Sequence, residues 1–135
     1  MNADDRQAIL GLISGYSYGY DTQDWDLIES IFPEDAVLAG ARGESVGRTA
    51  VVSVLRRRRE RLASEGIQTR HYQTNTLLNE NEDGTVSGRT LMFVAWQRDG
   101  EPGPEPMHTG EYRDRFVHSR DGWHIARREL VVDHD

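Results

Sequence analysis

The order of two hydrophobic patterns along the chain limits its fold more than any other feature. Through residues 5–64, apolar residues recur at steps of three and four, which predicts amphipathic helices. From residue 69 onward, polar and apolar residues alternate in long segments separated by turn signals such as 81–84, which is typical of strands joined by hairpins. Helices followed by an antiparallel meander predict an α+β fold, in which a curled sheet packs on the helices.

These patterns divide the chain into three helices, one short strand and four long strands, within a single domain that covers residues 1–135. The first helix contains Gly11, Gly15 and Gly19, each of which costs about 1 kcal/mol relative to alanine in a helix interior. The same glycines let another element approach the helix closely. The predicted elements are helix 5–20, helix 25–31, strand 36–39, helix 47–64 and the strands 69–79, 85–98, 107–118 and 123–132.

The absence of two residue types excludes several kinds of chemistry. A chain without cysteine has no disulfide, thiol nucleophile or thiolate metal site. All 16 basic residues are arginines, so a lysine Schiff base and a P-loop lysine are excluded as well. The histidines show neither a His-x-His nor a His-x-x-x-His spacing, and no Gly-x-Gly-x-x-Gly motif follows a predicted strand. We therefore expect neither a metal ion nor another cofactor.

The charge of the chain argues against a nucleic-acid partner. With a net charge of −7, the chain lacks the basic character of a typical duplex nucleic-acid-binding protein. The run 56–59 holds four consecutive arginines, but acidic residues surround it, and we interpret it as a solvated helix face. No apolar run approaches the roughly 20 residues of a membrane span, and the polar residues 1–6 do not resemble a signal peptide. These features predict a soluble cytoplasmic protein with no nucleic-acid and no membrane partner.

Four separated regions of the chain resemble those of one known family. They read YSYGYDTQDWD at 16–26, FPEDA at 32–36, TRHYQTN at 69–75, and YRDRF at 112–116 followed by DGWHIARR at 121–128. In order and spacing they are similar to the SnoaL-like branch of the nuclear-transport-factor-2-like superfamily, which includes scytalone dehydratase and bile-acid 7α-dehydratase. The resemblance implies a cone-shaped α+β barrel, with three N-terminal helices packed in a strongly curved, mainly antiparallel sheet around one deep apolar pocket. It also implies a homo-oligomer, with a homodimer as the expected state.

Asp21 and His71 are the first candidate catalytic residues. Asp21 lies at the break after the first predicted helix, and His71 lies in the first long strand. In the dehydratases that the chain resembles, the matching aspartate and histidine form a hydrogen-bonded pair. A histidine takes up and returns a proton near neutral pH, and a carboxylate behind it fixes its tautomer and stabilises the imidazolium. We expect His71 to be the general base and acid, and Asp21 to orient it.

Tyr16 and Tyr20 are the next candidates, since helical spacing puts both on the face that leads to Asp21. The five-residue step from Tyr16 to Asp21 resembles bile-acid dehydratase, and a tyrosine directly before the aspartate resembles scytalone dehydratase. A buried phenol can donate a hydrogen bond to a substrate carbonyl as negative charge develops on its oxygen. The alternative interpretation is that both rings belong to an aromatic core stripe.

The chain departs from the dehydratase pattern on the predicted strand 85–98, which follows the strand of His71. Where scytalone dehydratase has a second histidine, the alignment has Trp96, and residues 94–96 contain no ionisable side chain. A two-histidine dehydration of the scytalone type therefore lacks one of its groups. One acid–base pair suffices for enolisation, double-bond migration or aldol-type ring closure. We expect Trp96 to form a stacking wall for a flat substrate.

Five further residues are candidate substrate contacts. Asn75 shares a predicted strand face with His71, and Trp25 follows the break after the first helix. The other three share one face of the third long strand. Asp114 has an alternative role as the cross-strand partner of an arginine. The five residues are Trp25, Asn75, His108, Tyr112 and Asp114.

The leading functional hypothesis is a cofactor-free lyase, isomerase or cyclase. Its substrate would be a small apolar carbonyl compound of polycyclic or polyketide-like type, and the reaction would be a dehydration, a double-bond shift or a ring closure. Two alternatives share the same fold. One is a non-catalytic protein that sequesters an apolar small molecule, and the other is an accessory subunit of a larger oxygenase.

Overall fold

Three helices pack against one six-stranded sheet in the computed structural model, which describes residues 1–134. The helices are α1 (Ala3–Asp21), α2 (Trp25–Ile31) and α3 (Arg48–Ser64). The strands are β1 (Val37–Gly40), β2 (Gly43–Val46), β3 (Ile67–Glu80), β4 (Val86–Arg98), β5 (Glu105–Ser119) and β6 (Gly122–Val132). No helix among the described residues is both long and apolar enough to span a membrane.

The sheet is mixed and open. Its strands lie in the order β2-β1-β6-β5-β4-β3, and all neighbours are antiparallel except β1 and β6. The predicted α+β class, with three helices and a mainly antiparallel sheet, is confirmed. Within residues 1–134, β2 and β3 are the two edges and do not pair with each other, so the sheet does not close into the expected barrel.

The strand β2 is the element that the sequence does not predict. The sequence indicates a turn over 40–43, and the structure has a β1–β2 hairpin there, in which Gly40 pairs with Gly43. Gly43 has a φ of +113°, a conformation that favours glycine. The four residues of β2 are mostly exposed, so no alternation of polar and apolar residues marks the strand.

The helices α1 and α2 pack closely because α1 carries glycines where the two meet. A Cβ atom on Gly19 would lie 2.8 Å from Cδ1 of Ile28, and one on Gly15 would lie 3.4 Å from Cδ1 of Ile31. Gly11 faces open space, so only two of the three glycines have the expected role. The close contact fixes the last turn of α1, which ends at the predicted catalytic carboxylate.

This contact predicts opposite effects for the same substitution at two positions of α1. Gly19→Ala is expected to lower the free energy of unfolding by roughly 1–3 kcal/mol, because the added methyl group overlaps the completely buried Ile28. Gly11→Ala is the matched control, and helix propensity alone is expected to raise the free energy of unfolding by about 1 kcal/mol. Urea unfolding followed by circular dichroism measures both values. Equal effects of the two substitutions would contradict the packing argument.

The two faces of the sheet differ in their surroundings. In β4, Thr90, Met92 and Val94 are buried under the helices, whereas Leu91 and Phe93 lie exposed on the outer face. The regular alternation is interrupted at one point in each of the β3–β4, β4–β5 and β5–β6 pairings. These irregularities change which side chains face the helices, and they affect the candidate site directly.

Candidate active site

A cavity of about 880 Å³ lies between α1, α3 and the inner face of the sheet. Its outer part is lined by exposed residues of α3 and of the β1–β2 turn. The inner wall is formed by Tyr16, Tyr20, His71, Val94, Tyr112 and Leu130. Of the ten predicted site residues, six line this cavity: Tyr16, Tyr20, His71, Trp96, His108 and Tyr112.

Asp21 and His71 form a hydrogen-bonded pair at the inner wall. Oδ1 of Asp21 lies 2.8 Å from Nδ1 of His71, and Oδ2 accepts the backbone N–H of His71 at 2.7 Å. The hydroxyl of Thr69 donates to Oδ1 at 2.7 Å. Because Asp21 is only 5% exposed, these donors take the place of water around its carboxylate.

These contacts determine which nitrogen of His71 is basic. An ionised carboxylate accepts hydrogen bonds and does not donate them, so Nδ1 carries the proton that Asp21 binds. Nε2 then has the free lone pair, and it forms no hydrogen bond with any residue in 1–134. The His71 ring therefore offers a basic nitrogen on the side away from Asp21.

Arg59 holds the end of α1 that carries Asp21. Its Nη2 donates to the backbone carbonyl of Asp21 at 3.3 Å, and its Nη1 donates to that of Ile67 at 3.0 Å. Gln68 donates to the same Asp21 carbonyl at 2.9 Å. The interpretation of 56–59 as a solvated face is therefore wrong for Arg59, which lies one helical turn after the buried Leu55 and is buried itself.

Two buried phenols flank His71. The ring centroids of His71 and Tyr20 lie 4.8 Å apart, and those of His71 and Tyr16 lie 6.4 Å apart, both pairs in edge-to-face geometry. Burial raises the pKa of Tyr16 and of Tyr20, so both phenols remain protonated donors at neutral pH. Burial also raises the pKa of Tyr112. The rings of Tyr112 and Tyr16 lie edge to face with centroids 5.6 Å apart, and their interaction raises the pKa of Tyr112 and lowers that of Tyr16.

A fully buried arginine lies against these rings, and the sequence pattern does not single it out. The guanidinium carbon of Arg128 lies 3.8 Å from the ring centroid of Tyr112 and 4.4 Å from that of Tyr16. Asp114 binds Arg128 through two hydrogen bonds of 2.8 and 2.9 Å, and Oε1 of Gln73 accepts a third at 3.0 Å. Burial opposes the charge, but Asp114 outweighs burial and raises the pKa of Arg128, so the cation persists. Asp114 is therefore the cross-strand partner of Arg128, the alternative given in the sequence analysis, and it does not line the cavity.

Two other predicted substrate contacts also lie away from the cavity wall. Asn75 is exposed, because a bulge in β3 between positions 74 and 77 gives it a φ of +58° and breaks the alternation that would put it on the face of His71. Trp25 packs edge-to-face on Tyr20, with ring centroids 6.3 Å apart, and it does not line the cavity. The alternation of odd and even positions therefore predicts the face of a side chain only up to the first bulge in its strand.

Trp96 and His108 line the cavity on the two strands next to the inner wall. Nε1 of Trp96 donates to Oε2 of Glu105 at 3.4 Å, which holds the indole between β4 and β5. His108 pairs with Val94 in the β4–β5 ladder and also lines a second, adjoining cavity of about 560 Å³. Both side chains are partly exposed, so they border the space that a bound molecule would occupy.

The side chains of residues 1–134 do not form a metal site. Across residues 1–134, no three His, Asp or Glu side chains come close enough together to hold an ion. The groups available at the inner wall are one histidine–carboxylate pair and three phenols.

Comparisons with known proteins agree with this fold. The model of the SnoaL-like domain matches residues 1–129. The structure of ActVI-ORFA from Streptomyces coelicolor superposes with a TM-score of 0.85 at 21% identity, over 94% of this chain and 93% of that chain. The structure of Aln2 from another Streptomyces species gives a TM-score of 0.86 at 19% identity, over 98% and 93% of the two chains. Curated protein sequences give no match.

A third solved structure carries a name that suggests an activity. It is a candidate scytalone dehydratase from Novosphingobium aromaticivorans, with a TM-score of 0.78 at 22% identity over 94% of this chain and 83% of that chain. Identities this low establish a shared fold and leave the reaction open. The domain match, in contrast, covers nearly the whole chain and agrees with the four sequence regions described above. The chain belongs to the SnoaL-like family.

Proposed function

We propose that this protein is a cofactor-free enzyme that transfers a proton next to the carbonyl group of a small apolar compound. The observation that carries the proposal is the Asp21–His71 pair at the wall of the cavity. The pair provides a base in a defined tautomer, and its low-dielectric surroundings strengthen the interaction between the two groups. The dehydratases that the sequence resembles use a matching pair.

In the proposed first step, Nε2 of His71 removes a proton from the carbon next to the substrate carbonyl. The electron pair of that C–H bond forms the C=C bond of an enolate, and the carbonyl π electrons move onto oxygen. Asp21 stabilises the imidazolium through the hydrogen bond at Nδ1. The imidazolium then returns the proton to another carbon, to a departing hydroxyl group, or to the alkoxide formed when the enolate attacks a second carbonyl. These fates are double-bond migration, dehydration and ring closure.

Tyr16 or Tyr20 would donate a hydrogen bond to the developing enolate oxygen. Tyr16 has the stronger support, because the Arg128 cation lies 4.4 Å from its ring centroid. Burial raises the pKa of Tyr16, while Arg128 and Tyr112 oppose that shift and so favour negative charge near its oxygen. A donor held in this way needs no rearrangement when charge develops on the substrate.

The mechanism assigns both proton transfers to His71, which is the histidine bound to a carboxylate at the inner wall. Val94 lies opposite His71 in the β3–β4 pairing, and Trp96 follows it on β4, so neither neighbour supplies a second base. Because one imidazole removes and returns the proton, both events take place on the same face of the substrate. A dehydration by this route therefore removes the proton and the hydroxyl group from the same side.

Deuterium exchange tests the proposal without knowledge of the natural substrate. The protein is incubated with 1-tetralone, a small bicyclic ketone, in D₂O at neutral pH, and mass spectrometry follows deuterium at the carbon next to the carbonyl. Exchange above the buffer rate that is lost in His71→Ala supports an enzyme. Binding of 1-tetralone without accelerated exchange, in both the wild type and the variant, would instead identify a sequestering protein.

We further propose that two copies pair through the outer face of the sheet. Tyr72, Leu77, Leu91 and Phe93 are 40–66% exposed on that face, which makes an apolar patch on adjacent strands. On the same face, Arg89 and Glu111 bind each other at 3.0 Å, so neither charge is left unpaired opposite a second copy.

Sedimentation velocity tests the homodimer. The wild type is expected to sediment as a dimer and Leu91→Arg as a folded monomer, because the charge lies at the centre of the apolar patch. Tyr18→Arg, at an exposed tyrosine of α1, is the control and should remain dimeric. A monomeric wild type at micromolar concentration would contradict this interface.

A further inference from the structure

The outer part of the main cavity carries four arginines that form no ion pair with any residue the structure describes. Arg57, Arg58 and Arg61 lie on the side of α3 that lines the cavity, and Arg42 of the β1–β2 turn joins them. Within residues 1–134, none of the four forms an ion pair with a carboxylate. Glu65 is the one acidic residue among those that line the cavity, so the lining is strongly positive.

The arginines elsewhere on α3 have partners. Arg56 pairs with Glu60 at 2.7 Å, and Arg59 is buried on the backbone carbonyls described above. Arg57 and Arg61 are one helical turn apart, and like charges at this spacing destabilise a helix slightly. Arg61 lies in the last turn of α3, where a cation interacts favourably with the helix dipole. Neither packing nor helix stability accounts for Arg57 and Arg58, whose side chains are exposed and form no ion pair with a residue in 1–134.

We propose that the substrate of this cavity carries an anionic group, a carboxylate or a phosphate, which Arg58 and Arg61 bind. The proposal rests on the function proposed above, because it assigns the polar end of that enzyme's substrate. Guanidinium groups bind carboxylates and phosphates through paired N–H donors. Arg57 and Arg42 add positive charge, which attracts an anion to a protein whose net charge of −7 otherwise repels it.

Arg58 is the best placed of the four arginines. Arg58 and Arg42 line both the main cavity and the adjoining one, and Arg58 is the one of the two that α3 holds. Although burial raises the pKa of Tyr16 and of Tyr20, the charge of Arg58 opposes both shifts, so its field reaches the inner wall. A substrate held by its anionic end at Arg58 has its apolar body against the wall that contains His71.

Calorimetric titration with three naphthalene probes of similar shape tests this assignment. The probes are 2-naphthoate, the neutral 2-naphthamide and 2-naphthyl phosphate. The wild type is expected to bind 2-naphthoate about tenfold more tightly than 2-naphthamide at low ionic strength. That ratio should fall towards one in the double variant Arg58→Gln/Arg61→Gln, and also in the wild type at about 0.5 M NaCl, because salt screens exposed charges. Tighter binding of the phosphate than of the carboxylate identifies a phosphate site, and the reverse order identifies a carboxylate site.

The control is Arg56→Gln, which removes one positive charge from the paired side of α3, where the double variant removes two from the cavity side, and it should keep the ratio of the wild type. The double variant should unfold at nearly the temperature of the wild type, because relief of the repulsion between Arg57 and Arg61 offsets the loss of the favourable interaction of Arg61 with the helix dipole. No preference for 2-naphthoate in the wild type, or an equal loss of preference in Arg56→Gln, would overturn the proposal. His71→Ala should lose the exchange of 1-tetralone protons and keep the preference for 2-naphthoate over 2-naphthamide. The exchange assay therefore tests the proposed reaction, and the titration tests the anion site independently.

Discussion

His71→Ala is expected to reduce the rate of α-proton exchange by about 10²–10⁴-fold, the range that a positioned general base contributes. The substitution removes Nε2, the only nitrogen of the Asp21–His71 pair with a free lone pair. The fold should be retained, because Asp21 keeps its hydrogen bond from Thr69 and α1 remains held by Arg59. The rate is measured by deuterium incorporation, and thermal unfolding monitors the fold.

Two further variants separate a catalytic role from a structural one. Added imidazole should restore part of the activity of His71→Ala, because a small base can enter the space that the side chain leaves. Asp21→Asn should also reduce exchange, since an amide does not stabilise the imidazolium, but imidazole should not restore it. The control is His118→Ala, which removes an exposed ring stacked on Trp123. Near-normal exchange by His71→Ala would rule out the mechanism.

Asp114→Ala is expected to lower the free energy of unfolding by about 3–5 kcal/mol, the largest stability effect that we predict. It removes both carboxylate oxygens that bind Arg128 and leaves a completely buried cation without its counter-ion. Tyr16 and Tyr112, which pack on that cation, should lose their fixed positions as well. Urea unfolding measures the loss of stability.

A neighbouring ion pair provides the control for this prediction. Arg127 binds Glu44 at 3.0 Å with both side chains well exposed, so Glu44→Ala should lower the free energy of unfolding by at most about 1 kcal/mol. Adding Arg128→Met to Asp114→Ala should recover much of the stability, because the unpaired charge is then gone. Equal losses for Asp114→Ala and Glu44→Ala would contradict the role of the buried pair.

The helices could be predicted from the sequence because they depend on local signals. α2 runs from Trp25 to Ile31 as predicted, since the Asp24 side chain accepts the N–H of Leu27 at its start and Pro33 follows its end. The long strands follow from alternation in the same way. The short β2 lacks alternation, and the start of β5 lies in a segment rich in proline and glycine, so neither could be predicted.

The residues of the site depend on long-range pairing, and local patterns describe them only in part. Asp21 and His71 lie fifty residues apart, and the resemblance to the dehydratases, not their spacing, suggests that they meet. Alternation misplaces Asn75 because the sequence gives no sign of the bulge beside it. Arg128 could not be distinguished among 16 arginines, since its burial depends on the β5–β6 pairing after the irregularity between positions 115 and 116.

The groups proposed for proton transfer and the groups around the opening of the cavity belong to different parts of the fold. The first are fixed by the end of α1 and by β3, and Arg59 of α3 holds the end of α1 in place. The second lie on one side of α3 and on the β1–β2 turn, where their side chains are exposed. A few surface substitutions on this one helix are therefore expected to change which molecules the cavity accepts while the groups proposed for proton transfer stay in place. This separation makes the architecture a suitable starting point for laboratory evolution of new specificities.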